Sequence, residues 1–89
     1  MIGKAIVQER LAACGNILSG MQSIYWWEGE LVEDNEVVLI AKTTDANFQA
    51  LMERIKMIHS YDVPCIISLP ITDGNPDYFD WIKKSVDKQ

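Results

Sequence analysis

Apolar positions along the chain fall into blocks whose spacing changes from helical to strand-like and back. In the first block Ile6, Val7, Leu11 and Cys14 share one stripe of a helix, while Lys4, Gln8, Glu9 and Arg10 lie mostly off it; this predicts a helix over 2–14. Gly15 and Asn16 then suit a left-handed helix end. A strand pattern follows over 17–28, with Ser19 and Gly20 as the place for a bulge or bend. Glu28, Gly29 and Glu30 can reverse the chain, because glycine accepts positive φ, so a second strand begins near Leu31. Its far end, 37–41, is apolar without alternation, as in a strand covered on both faces.

The second half reads as helix, strand, helix. Phe48, Leu51, Met52, Ile55 and Ile58 have the spacing of an amphipathic helix over 45–59, with Thr44 or Asp45 as N-cap. Pro64 closes the connection, 65–69 reads as a short buried strand, and Pro70 limits further pairing. Asn75 and Pro76 are an N-cap and first-turn pair opening a last helix, whose apolar face is read as Tyr78, Trp81 and Ile82. The order αββαβα matches a ferredoxin-like split unit, βαββαβ, without its first strand and with a helix added at the end. The fold class expected is therefore α+β, an antiparallel sheet covered by helices, in one domain over 1–89.

Within the first strand, adjacent Trp26 and Trp27 point to opposite faces, since strand side chains alternate. A small domain has one core. One indole is expected to fill it, and the other needs a second cover: a partner subunit, a ligand, or another part of the chain. At 89 residues the chain buries roughly two-thirds or less of its unfolded surface, so subunit association would add needed stability.

Charge narrows the partners. Thirteen acidic against eight basic side chains give a net charge of −5, with Glu28, Glu30, Glu33, Asp34 and Glu36 concentrated around the predicted turn. Nucleic acid is excluded as an expected partner, because its binding rests on clustered Lys and Arg. The acidic run reads as a solvated hairpin tip, with cation binding as the alternative. No apolar run approaches the roughly 18 residues of a membrane span, and no signal-peptide pattern opens the chain. Cys14 and Cys65 are too few and too isolated for a disulfide framework or a Cys-x-x-Cys zinc site. The default for both is a buried free thiol in a reducing compartment, which makes the cytoplasm the expected location.

Several segments, in order, carry a family likeness: Glu9-Arg10-Leu11-Ala12-Ala13-Cys14, the stretch 23–30, Lys42-Thr43-Thr44, the stretch 59–64, and Gly74-Asn75-Pro76 with Tyr78 and Trp81. Together they resemble the CutA family of divalent-cation-tolerance proteins. The resemblance implies a ferredoxin-like subunit, a homotrimer related in architecture to PII-type signalling proteins, and binding of copper or another divalent cation. It also implies a cleft between subunits near Trp27, Lys42, Tyr61 and Asp62. Family members begin with a β-strand, carrying in some a cysteine proposed as a copper ligand, whereas this sequence starts after it; a truncated chain or late start is expected. Where the family shows His-Pro-Tyr-Glu-Val-Pro-Glu, this chain has His59-Ser60-Tyr61-Asp62-Val63-Pro64-Cys65. Cys65 thus places a soft sulfur where relatives have a carboxylate, favouring Cu(I) or zinc. Ile58 stands where some relatives carry a second histidine.

The candidate metal ligands are His59 and Cys65. His59 is the sole histidine and sits at a predicted helix end, where an imidazolium interacts favourably with the dipole; that role competes with metal ligation. Trp27 has a competing role as an interface aromatic. Lys42 either binds an anionic small molecule or pairs with one of the many carboxylates. Nucleophilic catalysis would have only Cys65 with His59 to draw on, and no Gly-rich phosphate loop, His-Glu-x-x-His or serine-centred motif is present. A non-enzymatic cation-binding trimer is the expectation. The alternatives are a PII-like sensor taking an anionic metabolite in the subunit cleft, and a purely structural trimer.

Overall fold

The computed structural model describes residues 2–59 and 63–87. Helix α1 (Ile2–Gln8) leads into strands β1 (Cys14–Trp27) and β2 (Glu30–Lys42), then helices α2 (Asp45–Ile58) and α3 (Pro76–Ser85). The strands form one antiparallel ribbon, paired from Cys14 opposite Lys42 to Trp27 opposite Glu30. The fold is α+β with an antiparallel sheet, of the expected ferredoxin-like class.

The first helix is shorter than its apolar stripe predicts. Arg10 takes φ 62, a left-handed conformation, and the Leu11 and Ala12 N–H groups both donate to the Ile6 carbonyl, at 3.0 and 3.2 Å. This is a helix stop made by arginine, not by Gly15 and Asn16, which belong to β1. Its guanidinium donates to the Ser85 carbonyl at 3.0 Å, fastening the stop to the end of α3. Ala13 already donates to the Lys42 carbonyl at 2.7 Å, so the sheet captures the chain before the helix can add a further turn.

The hairpin follows the sequence closely. Register shifts between Leu18 and Met21, around Gly20 at φ 83, as the Ser19–Gly20 break predicts. At the tip Glu28 and Gly29 both have positive φ, 50 and 82, the two-residue turn whose twist matches that of the strands. Glutamate holds this conformation at a cost that glycine avoids.

Helices cover only the base of the ribbon. Ile6, Leu11, Ala12 and Leu51 form the main core, with Ile2, Val7, Leu39, Ala41 and Ile55 packed around them. Thr43 ties β2 to the helix stop by donating to the Leu11 carbonyl at 2.7 Å. A smaller cluster joins Ala13 to Ile82 and Val86. Arg54 of α2 forms a two-pronged ion pair with Glu9, at 2.9 and 3.0 Å. Those hydrogen bonds, and then the charge itself, hold the guanidinium pKa above its usual value. On α3 the Asn75 side chain accepts from the Asp77 N–H at 2.9 Å, as the N-cap and proline predict. The buried side of α3, however, is Ile82 and Val86. Tyr78 and Trp81 instead stack on each other in the open, ring centroids 5.7 Å apart.

Two further expectations change. Neither tryptophan fills the core: Trp26 is 73% and Trp27 45% exposed. A helix advances about 1.5 Å per residue and a strand about 3.3 Å, so α2 spans about 21 Å of a ribbon that runs roughly 40 Å. Likewise Val37 and Ile40, on opposite faces of β2, stay exposed, so the described residues do not supply the two-sided cover that the apolar run 37–41 implies. The stretch 65–69 forms no strand; among the described residues it has no ladder partner. Pro64 and Pro70 bound it without N–H donors, and Ile67 and Leu69 stand open to solvent at 73% and 82%.

Two substitutions test this architecture in urea unfolding at fixed protein concentration. Ile6→Ala, emptying the one fully buried large side chain among the described residues, is expected to cost about 2–5 kcal/mol. Gly29→Ala, forcing a side chain into positive φ, is expected to cost about 1 kcal/mol. A smaller loss for Ile6→Ala than for Gly29→Ala would contradict the core described here.

Candidate functional site

The residues singled out by chemistry lie at three separate places. Trp27 ends β1 at the ribbon tip, opposite Glu30; Lys42 ends β2 at the base, opposite Cys14. Twelve residues of strand separate these ends, a distance of roughly 40 Å, in a molecule whose longest dimension is 46 Å. One chain therefore does not bring Trp27 and Lys42 into a common cleft. Tyr61 and Asp62 lie outside the described residues.

At the ribbon tip the alternation of β1 gives each face an aromatic. Ile24, Trp26 and Leu31 share one face, Trp26 directly opposite Leu31, while Tyr25 and Trp27 share the other. Glu28 and Glu30 surround the tip, and Glu33, Asp34 and Glu36 follow along β2. A shallow hollow on the ribbon is lined by Gln22, Ser23, Ile24, Glu33, Asp34 and Asn35. Ile24, Trp26, Trp27 and Leu31 are all exposed here, so large apolar side chains stand beside carboxylates at the tip.

At the base, Lys42 is half-buried and its Nζ donates to Asn16 Oδ1 at 2.6 Å. The same oxygen lies 3.9 Å from Cys14 Sγ. Among the described residues the lysine thus takes an amide oxygen as its partner, not one of the carboxylates that the sequence offered. Asn16, which the sequence suggested only as a helix end, is the residue that organises this corner. Its position two residues along β1 from Cys14 is the signal that would have found it, since both face the same way.

His59 is the C-cap of α2, and its backbone N–H donates to the Ile55 carbonyl at 2.8 Å. The residue thus stands at the helix end, half-buried. Neither cysteine is buried as the sequence leads one to expect: Cys65 is an exposed free thiol, on a stretch with no strand partner among the described residues, and Cys14 is free and half-buried. His59 and Cys65 offer nitrogen and sulfur, donors suited to copper or zinc. No group of three His, Cys, Asp or Glu side chains is placed to hold an ion among the described residues. The donor set fits a soft cation in kind, and in number only where further donors join it.

Comparison with known proteins concerns the chain as a whole. The family model described as CutA1 divalent ion tolerance protein matches residues 1–85. The divalent-cation tolerance protein CutA of Thermus thermophilus is 54% identical over 84 residues, which cover 94% of this chain and 82% of that protein. A solved structure of the Thermus thermophilus protein superposes with a TM-score of 0.91 over the same shares. The crystal structure of CutA1 from Oryza sativa gives a TM-score of 0.93 at 45% identity, covering 99% of this chain and 81% of that one. The full chloroplastic CutA 1 protein of Oryza sativa is 49% identical over 81 residues; the match spans 91% of this chain but 46% of that protein.

The difference in exposure between the two thiols predicts two rates of reaction with an aromatic disulfide reagent in the single folded chain. Cys65 is expected to react first, and Cys65→Ser should remove the fast phase while leaving the slow one. A single rate shared by both thiols would contradict the placement of Cys14.

Proposed function

The chain belongs to the CutA1 divalent ion tolerance family, and from that premise we propose that it works as a non-enzymatic homotrimer binding copper or another divalent cation. The observation that carries the assembly is the ribbon: it holds two tryptophans beyond the reach of its own helices, one on each face. Covering both faces takes apolar surface from outside the chain, and further copies of the chain provide it without any other component. Subunits meeting along the ribbons would also bring the tip of one copy towards the base of another, composing a cleft with Trp27 from one and Lys42 from the next. Tyr61 and Asp62 are proposed members of the same cleft.

For the cation, His59 and Cys65 are the proposed ligands. Each copy contributes an imidazole and a thiol, and several copies together would supply the three or four soft donors that a tight site requires. The two free cysteines support a reducing setting, the cytoplasm, as the place of action. A second reading is a PII-like signalling protein that takes a small anionic metabolite in the cleft. Lys42 favours it: among the described residues its ammonium has a neutral amide for partner, so its positive charge is available to an anion.

Native mass spectrometry is expected to show three copies of the 10.1 kDa chain. Trp26→Ala should shift the assembly towards monomer, weakening association by about 2 kcal/mol or more, the loss usual for a central aromatic. A wild-type monomer at micromolar concentration would refute the trimer. In calorimetric titrations Cu(I) or zinc should bind more tightly than magnesium, and Cys65→Ser and His59→Ala should each weaken the soft cation at least about tenfold. Unchanged affinity in both variants would refute these ligands. An anionic metabolite whose binding disappears in Lys42→Met, with cation affinity kept, would favour the second reading.

A further inference from the structure

We draw no further inference here: the strongest candidate, the exposed stacked pair Tyr78 and Trp81 on α3, is an unpartnered face flanked equally by Asp77 and Asp80 and by Lys83 and Lys84, so nothing in the structure shows what covers it.

Discussion

A strand covers more than twice the distance of a helix for each residue, and the shape of this molecule follows from that difference. With β1 and β2 extending thirteen or fourteen residues each, no helix of ordinary length reaches both ends of the ribbon. The base is covered by α1 and α2, and the main core of Ile6, Leu11, Ala12 and Leu51 collects there. The distal half carries Ile24, Trp26, Trp27 and Leu31 into solvent. Residues of the most apolar kind are thus placed where their own chain cannot cover them. Each such side chain would gain about 1.5–3 kcal/mol from full burial, a large sum beside the few kcal/mol that hold a small domain together.

The helices are held to the base by contacts that do not lengthen their reach. Arg10 stops α1 and grips the end of α3 through the Ser85 carbonyl; Glu9 grips Arg54 of α2; Thr43 closes β2 onto Leu11. All three act within a few residues of the helix stop, which makes 9–13 the junction of the fold. A helix continued to Cys14, as the apolar stripe suggests, would remove this junction and the Ala13 hydrogen bond that begins the sheet. The strain of a left-handed arginine is therefore offset by long-range contacts that only this conformation makes.

Local signals were legible in the sequence where the physics is local. The turn at Glu28 and Gly29, the break at Gly20, the α2 stripe and the Asn75–Pro76 cap each depend on a few neighbouring residues, and each stands where its pattern placed it. The errors arose where distant parts decide. Periodicity could not reveal that Arg10 would end α1, because its partner is 75 residues away. It could not separate Ile82 from Tyr78 and Trp81 on α3, since all three fit one broad stripe and only packing against Ala13 selects the inner one. Nor could an apolar run make a strand of 65–69, because a ladder needs a neighbour as well as a propensity. Of the candidate site, the chemistry of each side chain was legible and their separation was not.

That separation decides where a function can reside. Trp27 and Lys42 are fixed at opposite ends of one paired ribbon, and no change of side-chain rotamer brings them together. The ladder between them would have to break first, at the loss of about a dozen cross-strand pairs. Any cleft containing both must therefore be built from more than one chain. The same reasoning applies to a cation: an imidazole and a thiol from a single copy leave a soft ion short of ligands. Assembly is then more than added stability. In the proposed trimer it would be the step that brings the tip of one ribbon beside the base of another, so loss of the ribbon contacts and loss of ligand binding should be one event.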